Sequence, residues 1–318
     1  MSLSIHWQLD VAAEPARNEP SARTALPGLI RDLRHAGQNR FDYYAQVAQA
    51  TAQTAFDGLY LPFRAQADET RIVASALARE VRGLALIAEF PASVGSAVYA
   101  AKQAVTFQRG AQGRLGWAIA PDDAPNARAA RGDTVSDGDL TLRLAEFLTV
   151  AHGVHSQRPF SFKGAFFEVE QGGFADPLNR PAFPPVYLRG DSEEALAVSA
   201  RHGDIHLFSA TADLPSSIAA LTALAEKAGR QVAAGLLQPV LARESDKEAA
   251  QDAARLALPP GTLVGSFDTV AADLAVLVAL GVSHIVLSAS PQLEEAYRLG
   301  QHLLPRLRAR LAVRPIAA

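Results

Sequence analysis

Along the chain, short runs of apolar or β-branched residues alternate with longer stretches whose apolar residues recur three and four positions apart. That alternation is the pattern of parallel strands joined by crossover helices. Eight such runs stand out: Ser4–Asp10, Gly58–Phe63, Leu84–Phe90, Arg114–Pro121, Val186–Gly190, Asp204–Ala210, Ala233–Ala242 and His284–Ser290. Most are apolar at successive positions rather than at every second one, as strands are when helices cover one face and a packed barrel interior covers the other. The pattern predicts an α/β architecture, a (β/α)8 TIM barrel, with an open doubly wound sheet as the rival.

Between the runs, helical spacing predicts helices over Tyr43–Phe56, Thr70–Arg79, Val94–Gln108 and Leu140–Val150. Ser192, followed by Glu193 and Glu194, predicts a hydroxyl-capped helix start with acidic residues in its first turn. Ser266 and Asp268 repeat that arrangement ahead of Val270–Leu280, with Gly281 as the stop, and Leu293–Leu311 is expected to close the barrel. On that last helix, Glu294, Glu295 and Arg298 have the spacing of a surface ion-pair set.

Two stretches break the rhythm. Residues Ala12–Asn39, rich in Pro, Arg and Ala, follow the first strand and read as an irregular loop, a lid or an interface arm. FSFKGAFFEVE and the Pro-rich run after it, within Pro159–Pro185, read as a small hairpin insertion turning at Lys163-Gly164. Neither a short-period repeat nor a low-complexity linker divides the chain, so one domain over residues 1–318 is expected.

Composition narrows the function. A formal charge of -3 with no charged tail argues against nucleic acid as a partner, and the absence of cysteine excludes disulfides, thiolate metal sites and a cysteine nucleophile. No apolar run reaches the roughly 18 residues of a membrane span, and MSLSIHWQLD is unlike a signal peptide, so a cytoplasmic location without membrane attachment is the expectation. There is no GxGxxG after a strand, no Walker loop and no G-x-S-x-G elbow. His152 and His155, three apart at a helix end, lack a neighbouring carboxylate motif, so no metal site is expected.

The hairpin FSFKGAFFEVE, then PPVYLRGDSEEALAVSARHGDIHLF, the block LVGSFDTVAADLAVLVALGVSHIVLSASPQLEEAYRLG, and GRLGWAIAP after a long helix carry a resemblance over about Ser4 to Pro305. In order and spacing the chain resembles the bacterial luciferase-like flavin monooxygenases, and most closely their alkanesulfonate monooxygenase branch. The resemblance implies a barrel, usually dimeric or tetrameric, that takes reduced FMN from a separate flavin reductase and uses it with oxygen on a small organic substrate. Relatives associate through helices flanking the second and third strands, and Ile72–Leu77 and Val98–Phe107 are apolar enough for a homodimer.

The resemblance places the FMN phosphate at the turn Arg189-Gly190-Asp191-Ser192, where Gly190 and Ser192 keep the family's residues, Arg189 replaces a glycine and Asp191 a serine. A helix N-terminus behind a glycine suits a dianion, and Arg189 could pair with it directly; a plain helix cap without ligand is the competing reading. Other family positions are replaced. The strand-four asparagine falls on Ala118, a His-Ser-x-Arg-Tyr segment on Asp137–Thr141, and a strand-seven Arg-x-His on Leu237-Gln238-Pro239. At the expected C-terminal strand ends remain Gln8, Asp10, Arg64, Glu89, Phe90, Ser209, Gln238, Ser288 and Ser290. Of these Glu89, Phe90, Gln238 and Ser288 join Arg189, Gly190 and Ser192 as candidate cofactor contacts. Glu89 and Arg64 could instead form an ion pair across the mouth, and Trp7 and Phe90 could be core. No catalytic residue is singled out beyond His35, which could swing over the mouth as a proton donor.

Three functional readings follow. One is an FMNH2-dependent monooxygenase acting on a small uncharged or weakly polar molecule. A second is a catalytically silent relative that binds flavin, or none, or pairs with an active paralogue. The third is a flavin-free enzyme, for example one using the deazaflavin cofactor of related barrels.

Overall fold

The computed structural model describes residues 3–14, 40–121 and 124–313; most of the Ala12–Asn39 stretch, with His35, lies outside the described residues. Eight parallel strands close on themselves in the order β11-β1-β2-β3-β4-β7-β8-β9, with β9 paired to both β8 and β11. They are β1 (Ser4–Gln8), β2 (Gly58–Leu61), β3 (Ala85–Pro91), β4 (Leu115–Ala120), β7 (Val186–Arg189), β8 (Ile205–Ser209), β9 (Ala233–Arg243) and β11 (Val282–Ser288). All eight sequence runs are barrel strands, and the closed sheet decides against the open one.

Around them lie α1 (Arg40–Gln53), α2 (Thr70–Glu80), α3 (Ala97–Gly110), a short α4 (Pro125–Ala129), α5 (Leu140–Ser156), α6 (Glu193–His202), α7 (Leu214–Lys227), α8 (Asp246–Ala253), α9 (Phe267–Ala279), α10 (Gln292–Arg298) and α11 (Leu304–Val313). The predicted caps are present: Ser192 Oγ accepts from Ala195 N at 3.2 Å, Ser266 Oγ from Thr269 N at 3.2 Å, and Gly281 turns at φ +106°. The closing helix differs from expectation, because a π-helical turn over Leu299–Leu303 separates α10 from α11. Gly300 lies in that turn, where an added Cβ would sit 2.2 Å from Thr54, so the helix passes closely by the chain just after α1.

One strand escapes the sequence pattern. β10 (Leu263–Ser266) pairs only with the far half of β9, Val240–Arg243, outside the barrel. The pairing of β9 with β11 ends at Pro239, which has no N–H to donate, and β9 then leaves the barrel wall. The hairpin insertion is β5 (Phe160–Lys163) and β6 (Glu168–Gly172), antiparallel as expected. Its turn is held from beneath: the Glu146 carboxylate accepts Ala165 N at 2.7 Å, Phe166 N at 2.8 Å and Phe167 N at 3.2 Å. A Cβ on Gly164 would fall 2.4 Å from that carboxylate, which explains the glycine of FKG by close approach.

Alternation along each strand divides the core. Tyr60, Ile87, Ala118, Tyr187, Ile205, Leu207 and Val286 fill the barrel interior, while their strand neighbours Leu59, Leu86, Trp117, Val186 and Leu287 pack outward against helices. The bulk of Tyr60, Tyr187 and His6 is accommodated by small residues; a Cβ on Gly58 would come within 2.7 Å of His6 Nδ1. No helix among the described residues is long and apolar enough to cross a membrane.

Candidate active site at the C-terminal mouth of the barrel

Two residues beyond the Ile87–Tyr187 layer, the same strands present Glu89 and Arg189 inward. Glu89 is fully buried, and its carboxylate collects Arg189 Nε at 2.6 Å, the Tyr60 hydroxyl at 2.8 Å and Phe63 N at 2.8 Å. The ion pair therefore runs from β7 to β3 across the end of β4. Burial alone would lower the Arg189 pKa, but the Glu89 carboxylate and Tyr60 hydroxyl outweigh it and raise it, so the guanidinium stays charged. Burial, first, and the Glu89 charge push the Tyr60 phenol far up, keeping it a neutral donor.

The expected Glu89–Arg64 pair does not form, because Glu89 is already satisfied by Arg189, Tyr60 and a backbone amide. Arg64 turns instead to Asp10, with Nη2 at 2.6 Å from the carboxylate. Asp10 is anchored further by Gln292, whose Oε1 accepts Asp10 N at 2.6 Å.

Other candidates fall in different places. Phe90 is the outward neighbour of Glu89 and packs between Trp117, at 5.0 Å between ring centres, and the Arg71 guanidinium, so it is core and not mouth. Alternation on β3 carried that signal: with Glu89 facing in, Phe90 must face out. Gln238 also turns away; its Nε2 donates to Pro239 O at 2.8 Å and Gly261 O at 2.9 Å, tethering the loop ahead of β10. Trp7 is fully buried against Phe56, again core. Ser288 does lie at the mouth, and Ser209 bonds Thr211 beside it. His152 and His155 both pack on the Phe183 ring, and His155 Nε2 lies 2.8 Å from Pro181 O.

Glu295 corrects another expectation. It is fully buried rather than a surface group, bonded to Arg298 and 3.2 Å from Arg243, which also holds Asp252 at 2.6 Å. Burial raises its pKa, against the two arginines.

Two cavities open at the ends of the barrel strands, and Arg189 lines the first of them. One, of about 370 Å³, lies between β4, β7 and the N-termini of α5 and α6, and is lined by Asp137, Thr141, Leu144, Arg189–Ser192 and Val198 among others. The second, of about 470 Å³, lies among the ends of β1, β9 and β11 and the Leu256–Thr262 loop, with Gln8, Asp10, Thr262, Ser288, Ser290 and Gln292 as polar groups beside an apolar wall. Each falls within the ~300–1,000 Å³ that small-molecule sites span. A third concavity of about 640 Å³ lies far from the mouth, a groove between α2 and α3 where Ile72 and Tyr99 are exposed.

The sequence-predicted turn forms the edge of the first cavity. Gly190 adopts φ +137°, and a Cβ there would meet Ala195 Cβ at 2.8 Å, so only glycine lets β7 turn this tightly into α6. Asp137, on the opposite side of the cavity, is paired to Arg128 at 2.6 Å.

A closed parallel barrel whose paired charges and cavities gather at the C-terminal strand ends is the plan of a (β/α)8 enzyme, with its site built on the loops that follow the strands. The chain belongs to the luciferase-like monooxygenase family, whose model matches residues 24–262. In fold it is similar to a riboflavin lyase solved with modified FMN and riboflavin (TM-score 0.80, 15% identity, covering 98% of this chain and 92% of that one). It is also similar to EDTA monooxygenase from Chelativorans sp. BNC1 (TM-score 0.77, 17% identity, 99% and 95% covered) and to a long-chain alkane monooxygenase (TM-score 0.78, 15% identity, 99% and 93% covered).

Proposed function

We propose that this protein is a flavin-dependent monooxygenase acting on a small, uncharged organic substrate, and that it receives its flavin already reduced from a separate reductase in the cytoplasm. The observation that carries this reading is the mouth itself. A planar guanidinium, about one-third exposed and fixed by Glu89, lines one cavity of ligand size, and a second opens among the ends of β1, β9 and β11. A flat cation of this kind is a stacking surface for an aromatic ring and a charge partner for the anionic face of a reduced one. The residues fit the ring of a flavin better than they fit the FMN phosphate, since Asp137 and Asp191 line the cavity beside the turn.

A bound reduced flavin would supply the electrons with which oxygen is activated. This chain's residues would do the rest. Arg189 would orient the ring, while Thr141 and Ser192 would offer hydroxyls to its tail. The second cavity would take the substrate against Leu241, Leu256 and Leu258, with Gln8 and Ser288 to bond a weakly polar group. Among the described residues no lysine, arginine or histidine lines that cavity and the Asp10 carboxylate does, so a neutral substrate suits it better than a sulfonate, despite the sequence likeness to the alkanesulfonate branch.

The test is fluorescence titration of the purified protein with riboflavin and FMN, then turnover with a reductase, oxygen and a neutral sulfone or aldehyde. Micromolar binding and oxygenated product are expected; absence of binding of either flavin would sink the reading. One observation favours a second reading, a silent family member: Glu89 and Asp10 at the mouth are each engaged by an arginine. Flavin binding without turnover of any substrate would select it.

A homodimer through the groove between α2 and α3 is part of the proposal, because Ile72 and Tyr99 are about 60% exposed there, 62% and 61% respectively. Light scattering should give twice the chain mass, and Ile72→Glu with Tyr99→Glu should halve it; a monomeric parent protein would refute the dimer.

A further inference from the structure

We propose that the flavin held at this mouth has an uncharged tail, a ribityl chain ending in a hydroxyl rather than in a phosphate. The inference rests on the flavin reading above and concerns only the tail.

The tail would enter the cavity of about 370 Å³ at the β7–α6 turn. A dianion there needs free amides or an uncommitted cation, and at this turn the amides of Glu194 and Ala195 are engaged and the lining arginine is paired. Ser192 Oγ already accepts from Ala195 N at 3.2 Å. The Glu194 carboxylate is engaged by its own backbone N–H and by the Ser192 hydroxyl, which hold its pKa below the ordinary range. The positive end of α6 is thus met by two of its own first-turn residues, Glu193 and Glu194. Among the described lining residues the cation is Arg189, and it is bonded to Glu89. The anions lining the cavity are Asp137 and Asp191.

A phosphate placed at this turn would face the exposed Asp191 carboxylate, with Asp137 across the cavity paired to Arg128, and would find Arg189 already paired to Glu89. A terminal hydroxyl meets the opposite situation, since it can donate to a carboxylate such as Asp191 and accept from Thr141 or Ser192. The apolar walls, Leu144, Leu188 and Val198, suit the methylene face of a sugar-alcohol chain.

The full chain is titrated in parallel with riboflavin and with FMN, following flavin fluorescence at low salt and at 1 M salt. Riboflavin should bind about ten-fold more tightly than FMN at low ionic strength, and the gap should narrow at high salt as the repulsion is screened. Asp191→Ser should tighten FMN by roughly ten-fold, so that riboflavin loses its advantage over FMN. Asp191 is exposed, and circular dichroism verifies that the variant folds. FMN binding as tightly as riboflavin to the parent protein, or an unchanged FMN affinity in Asp191→Ser, would overturn the inference while leaving the flavin reading intact. Binding of neither flavin would overturn both.

Discussion

Glu89 and Glu146 are both buried carboxylates, and they are satisfied in opposite ways. Glu146 is held by three consecutive backbone amides of the hairpin turn, donors whose positions are fixed by the chain. Glu89 is held mainly by side chains, the Arg189 guanidinium and the Tyr60 hydroxyl, beside the cavity that Arg189 lines. The first arrangement pins one segment of chain to another. The second keeps a charge pair at a place a ligand can reach, where a side chain can exchange one partner for another. The difference separates a structural carboxylate from one at a candidate site, although both are glutamates on barrel elements.

The largest effect should come from breaking the side-chain pair. Arg189→Leu leaves the Glu89 carboxylate buried without its cation, and such a loss costs about 3–5 kcal/mol, with the lower end expected because Arg189 is partly exposed. The double substitution Arg189→Leu with Glu89→Leu removes both charges and should recover most of the loss. Urea unfolding of the two variants measures this. A single variant as stable as the double would mean that the pair carries no buried charge. Flavin binding should fall in both, because the stacking surface is gone.

Glu146→Gln tests the other side. An amide offers one oxygen where the carboxylate offers two, so at least one of three N–H groups is left unmet, and the cost should be about 2 kcal/mol. The damage should be local. Hydrogen exchange should accelerate at Ala165, Phe166 and Phe167 while flavin affinity stays within about two-fold. A uniform loss of protection across the barrel would show that Glu146 supports more than the hairpin.

The same contrast marks what the sequence could reveal. The strands of the barrel are legible because burial on both faces writes an apolar run for each, and Ser192, Ser266 and Gly281 are legible because caps and stops are local chemistry. β10 is not, since LVGS is short and half exposed and pairs only with a strand that has left the barrel. The Glu146 cradle was visible only as the glycine of FKG, because its donors lie 19 to 21 residues away. The Glu89–Arg189 pair spans 100 residues, and only the closure of the barrel brings it together. Sequence reasoning located both members at strand ends and gave Glu89 the wrong partner. Glu295 was read as exposed because spacing gives the face of a helix and not what the face meets, here Arg243 at the end of β9.

A buried group with no partner extends the series. Both ring nitrogens of His6, inside the barrel, lack a hydrogen-bond partner among the described residues, and burial, with His284 nearby, lowers its pKa from 6.5 to about 3. The folded state therefore disfavours the protonated ring, and the unfolded chain takes up the proton first. Its contribution to stability is fully present above pH 6.5 and is lost as pH falls toward 3, roughly 2 kcal/mol by pH 5. His6→Gln cannot titrate, so its stability should fall by about 2 kcal/mol less between pH 7 and pH 5 than that of the parent. His202 and His206, each lowered to about 4 by burial first, act equally in both proteins and cancel. Equal pH slopes would show that water reaches His6.

The smallest effect separates capping from ligand contact at the turn itself. Ser192 and Thr141 both line the cavity beside Arg189, but Ser192 alone caps a helix, through its bond from Ala195 N. Ser192→Ala should lower unfolding stability by about 1 kcal/mol without any flavin present, the ordinary cost of a lost hydroxyl cap, and Ser192→Gly by less. Thr141→Ala, on the exposed start of α5, should change stability by under about 0.5 kcal/mol. If flavin affinity then drops in Thr141→Ala, the hydroxyl serves the ligand. If affinity and stability instead fall together only in Ser192→Ala, the turn acts by shaping the cavity, and the groups that touch the tail must be sought on the α5 side of it.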